Sequence, residues 1–179
     1  MARPLAALLS FSFLVFFAPA CADVATAPLL TDEQLEQPAQ VSAWLKQHAA
    51  NADKQTAKEM YQFGLKEMKR NSYDSATKAF GDSAIRFPTP QALNAYADAR
   101  LRGLGGIREH NKNRSEHLDR DLRHVESIYR SALASDATVP AMSEQERVQT
   151  KAYLDCMVAY RRDRSGVATC PPLAAYGLR

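Results

Sequence analysis

Apolar residues recur along most of the chain at steps of three and four, the spacing of amphipathic helices. The clearest run lies between Thr56 and Pro90. Ala57, Met60, Tyr61, Gly64, Leu65 and Met68 share one face of a first helix, and Tyr73, Ala76, Phe80, Ser83, Ala84 and Phe87 share one face of a second. Asn71 and Ser72 interrupt the pattern and predict a tight turn that reverses the chain. Pro88 and Pro90 stop the second helix, because neither can donate the next backbone bond. A glycine inside a helix costs about 1 kcal/mol, so Gly64 points to a neighbour too close for a Cβ. Small Gly64 and Ala76 predict close approach of the two helices, with Tyr73 and Phe80 filling the space beside them. One such pair cannot bury its own apolar faces and needs neighbours.

The same period extends to either side. Val41, Trp44, Leu45 and His48 predict a helix over 39–50, with Trp44 as a core residue. Residues 23–38 read as a flexible leader, in which Thr31, followed by Asp32 and Glu33, caps a short helical turn. Leu93, Tyr96, Ala97 and Leu101 predict a helix over 91–101. The stretch 102–115, rich in glycine, asparagine and cations, reads as an insertion that is a loop at least in part. Within it Gly103-Leu104-Gly105-Gly106 lacks the Lys-Ser/Thr of a phosphate loop and reads as a turn. Leu118, Leu122, Val125, Tyr129 and Ala132 predict a helix over 118–133, with Asp119, Arg120, Asp121 and Arg123 largely off its stripe, and 135–140 reads as a linker. Ser143, with Glu144 and Glu146 after it, caps a last helix to about Arg162 that turns Val148, Ala152, Cys156, Met157 and Tyr160 inward. The tail, 163–179, is marked by proline and glycine and reads as irregular.

The central pair resembles one tetratricopeptide repeat. Gly64, Tyr73, Ala76, Phe80, Ser83 and Pro88 stand at the spacings of that family's pattern, while Met60 and Phe63 replace its early tryptophan and leucine. Strict repetition fails, since His110, Arg114 and Leu122 fall 34 residues after Ala76, Phe80 and Pro88. A shift of 49 aligns Leu122, Val125, Tyr129 and Ala132 with Tyr73, Ala76, Phe80 and Ser83. The resemblance implies an all-α fold of tetratricopeptide-like antiparallel hairpins, five or six helices in a right-handed array. It implies a scaffold that binds a protein or peptide on the surface lined by the first helix of each pair, and no chemistry. Asn94, Arg100, Arg102 and Arg108 are the residues expected to face that partner.

Residues 1–22 change the picture of where the protein works. A basic start at Arg3, an apolar run from Leu5 to Phe17 and the small-residue end Ala20-Cys21-Ala22 predict a cleaved secretory signal. Ala18-Pro19-Ala20-Cys21 also resembles a bacterial lipoprotein box, in which Cys21 is lipidated, although the usual leucine is missing. An uncleaved anchor is a third reading, for which the apolar run is short. The first two place 39–162, the helical domain, outside the cytoplasm of a Gram-negative bacterium, periplasmic or otherwise extracytoplasmic, or lipid-anchored on the outer membrane. In such a compartment the remaining pair, Cys156 and Cys170, invites a disulfide that staples the tail to the last helix. A loop of that length is worth about 3 kcal/mol.

Charge and motifs narrow the function further. Losing Arg3 lowers the formal net charge from +3 to +2, too little to argue for nucleic acid. His110, His117 and His124 are seven apart, about 10 Å between neighbours on a helix and too far for one metal ion; they read as solvated. The cations Arg100, Arg102, Arg108, Lys112 and Arg114 surround the insertion, where an acidic partner or lipid headgroups are alternatives to plain solvation. No arrangement for nucleophilic catalysis or zinc hydrolysis is recognisable, and no cofactor is expected. The expectation is a non-enzymatic exported scaffold for protein–protein binding, with self-association open. The alternatives are a lipoprotein accessory to envelope assembly, an inhibitor or immunity protein for a secreted enzyme, and a cell-wall-acting enzyme.

Overall fold

The computed structural model describes residues 26–110 and 117–178, apart from the side chains of 108–110. Among these the chain is all-α. The helices are α1 (Asp32–Leu35), α2 (Pro38–His48), α3 (Lys54–Lys69), α4 (Tyr73–Arg86), α5 (Pro90–His110), α6 (Leu118–Thr138), α7 (Glu144–Asp163) and α8 (Pro171–Ala175). A 3-10 turn, Val167–Thr169, lies between the last two. From α3 to α7 each helix packs on the next in sequence. The exceptions fold back: α2 lies on α6, and α8 lies on α5 and α7.

Local chemistry explains most boundaries. Asn71 takes a left-handed φ of 58°, and the Ser72 amide donates to the Glu67 carbonyl at 3.0 Å. This is the bond that closes a helix end through a left-handed residue, and it turns α3 directly into α4. A Cβ built on Gly64 would sit 2.6 Å from the ring of Phe80, which is wholly buried. Five residues before the end of α3, its glycine therefore admits the aromatic of α4. Ser83 adds a polar tie, its hydroxyl donating to the Ala57 carbonyl at 2.8 Å. Tyr73 does not share this contact. It sits at the turn, its hydroxyl donating to Asn71 Oδ1 and its Cβ beside Gly103 of α5. Ala76 and Pro88 are buried.

Several sequence expectations are corrected. The leader is docked from Ala27 onward: the Leu30 amide bonds to the Ile85 carbonyl, Trp44 Nε1 donates to the Pro28 carbonyl, and Leu30 and Leu35 are buried. Thr31 caps α1 in a reciprocal box with Gln34. The stretch expected to be a loop at least in part is helical as far as His110, and 111–116 lie outside the described residues; the glycines at 103, 105 and 106 lie inside α5 and form no turn. Gly105 shows why: a Cβ there would stand 2.6 Å from the Ala175 carbonyl oxygen, so α8 packs backbone against α5. The supposed linker belongs to α6 through Thr138, fixed by the Ser135 hydroxyl on the Pro88 carbonyl at 2.6 Å. The tail is ordered into α8, with Leu173, Tyr176 and Leu178 buried. Asp121 is buried and accepts from the Tyr176 hydroxyl at 3.0 Å, against the reading that set it off the stripe.

The inner face of α7 is also shifted. Val148 is 58% exposed and Ala152 is exposed, whereas Thr150, Met157 and Tyr160 are buried. The working stripe is 150, 153, 157 and 160, still a three-four pattern but begun two residues later. Ser143 and Glu146 form the second reciprocal capping box, at its start. Cys156 and Cys170 are joined, tying α8 to α7 across 14 positions. Among the described residues no helix is long and apolar enough to cross a membrane, and the disulfide suggests an extracytoplasmic protein.

Two buried acids hold α6 in place. Glu126, fully buried, takes both oxygens to Arg161 of α7, at 2.5 and 2.9 Å, with Arg130 3.8 Å away. Asp136 accepts the amides of Ala141 and Met142 at 2.9 and 2.7 Å and Arg147 Nε at 2.8 Å. Burial opposes its charge, but these donors outweigh it and hold the carboxyl below the usual carboxylate range.

Candidate functional site

The helices α3, α5 and α7 share one face, and three cavities follow one another along it. The first, 300 Å³, has an apolar base of Ala57 and Phe87 under Lys54 and Lys58 of α3. Lys54 Nζ stands 5.3 Å from the Phe87 ring centroid. Tyr61 and Gln91 line this cavity and also the second, which is 350 Å³. Arg102 joins the second to a third, of 480 Å³, between the α3–α4 turn and Gly106 and Ile107 of α5. Along α5 the three run from Gln91 to Ile107, 16 steps along the helix or about 24 Å at 1.5 Å per residue.

The second cavity is the chemically richest. Tyr61 comes from α3, Asn94 and Asp98 from α5, Tyr129 from α6, and Glu146 and Tyr153 from α7. The Tyr129 and Tyr153 rings meet edge to face with centroids 6.2 Å apart. Burial raises the Tyr61 phenol, and the Glu146 carboxylate adds to this. Burial likewise pushes Tyr129 well above the ordinary phenol range, reinforced by Asp98. Both therefore stay protonated at any physiological pH.

Asn94 is oriented by its neighbours. Its Nδ2 donates to Thr150 Oγ1 at 2.8 Å, and that hydroxyl spends its own proton on the Glu146 carbonyl at 2.9 Å. Thr150 can therefore only accept from Asn94, which fixes which end of the amide is which. Asn94 Oδ1 is left buried with no hydrogen-bond donor among the described residues. Asp98 accepts Arg102 Nε at 3.1 Å, and the Arg102 guanidinium lies 6.0 Å from the Tyr73 ring, toward the third cavity.

The four residues expected to face a partner are thus divided. Asn94 and Arg102 share the second cavity, but Arg102 is neutralised by Asp98. Arg100 lies round the helix on another cavity, of 420 Å³, with Glu36, Arg120 and Arg123. The side chain of Arg108 and the whole of Cys21 lie outside the described residues. Arg100 and Arg102 therefore line different cavities, and Lys112 and Arg114 also lie outside the described residues. His124, expected in solvent, is 21% exposed with Nδ1 2.8 Å from Glu36 Oε1, linking α6 to the residue that ends α1.

Sequence reasoning missed Asp98, Tyr129, Glu146, Gln149 and Tyr153 as site residues. Tyr129 was legible as a stripe residue of α6, but its place at the cavity depends on α7 lying on α6 and reaching α5 through the Asn94–Thr150 bond, between residues 56 apart. Comparison with family models, curated proteins and solved structures finds no match for this chain.

Proposed function

We propose that this is an exported, tetratricopeptide-like helical scaffold of the bacterial envelope that holds an extended segment of a partner protein on the α3–α5–α7 face. The observation that carries the reading is the chain of three cavities linked by Tyr61, Gln91 and Arg102. A run of about 24 Å accommodates some seven residues of extended chain at about 3.3 Å each. Its apolar ends and polar middle match alternate side chains and a main chain in need of hydrogen bonds. The docked leader and α2 lie on other elements, leaving this face uncovered among the described residues.

A photo-crosslinking residue placed at Gln91 or Gln149 of the exported chain tests it, with Gln47 of α2 as the control. Capture of one discrete protein from the two groove positions, and not from Gln47, is the expected result. Equal capture from all three, or adducts of the chain with itself alone, overturns the reading. Intact mass of the exported chain separates a start at Asp23 from a lipidated Cys21.

A further inference from the structure

We propose that the middle cavity binds a primary ammonium group, presented as a lysine side chain by the partner segment. The inference rests on the groove reading and specifies its central contact. The charged groups facing the cavity are Asp98, Glu146 and Arg102. Arg102 is paired with Asp98 and directed toward Tyr73, so one carboxylate charge remains in excess. The backbone amide and hydroxyl of Ser143 hold Glu146 Oε2 in the capping box at 2.7 and 2.9 Å, fixing that carboxylate in place.

The neutral groups point the same way. Tyr61, Tyr129 and Tyr153 supply three aromatic rings from three different helices. A cation over such rings is attracted by their negative faces, more strongly where water is displaced. The Asn94 carbonyl dipole, held by the Thr150 bond and met by no donor among the described residues, adds negative potential at the wall. An anionic group would meet two carboxylates and this carbonyl with only a committed arginine to answer them. An apolar group would cover the Tyr61 and Tyr129 hydroxyls and the Asn94 carbonyl while offering them no hydrogen bond. A lysine suits the geometry better than an arginine, since its point charge needs no planar fork of acceptors and its flexible stem reaches past the rings.

The test is an NMR titration of the full mature chain with acetyl-Gly-Lys-Gly-amide, with the same peptide acetylated on Nε, and with cadaverine as a free diamine. The lysine peptide is expected to shift the ring signals of Tyr129 and Tyr153 in the millimolar range, and Nε-acetylation is expected to abolish the shift. Asp98→Asn and Glu146→Gln, the second of which keeps the capping geometry, are each expected to weaken binding about fivefold. Equal binding of the acetylated peptide, or no ring shift at saturating concentration, overturns the proposal. Cadaverine binding as tightly as the peptide overturns the lysine assignment in favour of a free amine. Should Gln91 capture a partner whose binding ignores acetylation of its lysines, the groove stands and the ammonium pocket falls.

Discussion

Two neighbouring glycines of α5 make opposite demands, and the contrast can be measured. A Cβ on Gly105 would lie 2.6 Å from the Ala175 carbonyl oxygen and 3.0 Å from the Tyr176 carbonyl carbon. Ordinary contact begins at 3.4 Å, so α8 would have to retreat by 3.4 − 2.6 = 0.8 Å. It cannot do so freely, because Cys170 ties it to α7 and Leu173 and Tyr176 are buried beneath it. A Cβ on Gly106 meets nothing within 4 Å. Both residues are helical, so alanine gains about 1 kcal/mol of helix propensity at either. That gain cancels in the difference, which isolates the cost of overpacking, about 1–3 kcal/mol. Gly106→Ala should stabilise, and Gly105→Ala should fall below it by that amount, or about 2–4 °C of melting temperature per kcal/mol. Urea and thermal unfolding followed by far-ultraviolet circular dichroism read both. If the two variants prove equally stable, or if Gly106→Ala destabilises, the packing of α8 on a helical α5 is wrong.

Three further outcomes follow from the same packing. Replacing Cys156 and Cys170 by serine should cost about 3 kcal/mol in the chain-entropy account of a 14-position loop, and should raise hydrogen exchange in α8 before α3 or α4; a loss under 1 kcal/mol contradicts this. Arg161→Ala strands the buried Glu126 with only Arg130 nearby among the described residues. The expected loss is about 3 kcal/mol at neutral pH, the low end for a broken buried pair, and Arg161→Ala with Glu126→Gln should recover part of it. Asp136 has its carboxyl lowered on folding, so its contribution is present above the unfolded value near 3.9 and is lost as pH falls through the folded one. Asp136→Asn should therefore cost about 1–2 kcal/mol at pH 7, with the gap to the parent closing below pH 4 in urea midpoints.

The α3–α4 hairpin was legible because all its determinants are local. The stripe, the break at Asn71-Ser72 and the prolines lie within 35 residues, and a glycine facing an aromatic is a pairwise requirement. The α5 glycines were misread for the opposite reason. Glycine marks either a turn or a close backbone approach, and only α8, some 70 residues later, decides between them. Glu126 carried a usable signal: it stands four after Leu122 and three before Tyr129, on the stripe itself, where a charge must be paired. Asp98 and Tyr153 carried none, since they meet at one cavity only when α5, α6 and α7 are assembled. A count of cations also does not say which of them already hold a carboxylate, as Arg102 does with Asp98.

Stacked helical arrays ordinarily melt from their ends, since a terminal layer has one neighbour instead of two. Here neither end is a free layer. The Leu30 amide stitches the N-terminal segment to α4, and α2 reaches across to α6. At the other end the disulfide returns α8 to α7 while Gly105 beds it against α5. A stack joined to itself in this way loses the stepwise route to unfolding and behaves as one cooperative unit, so its α3–α5–α7 face should hold its shape until the whole molecule gives way.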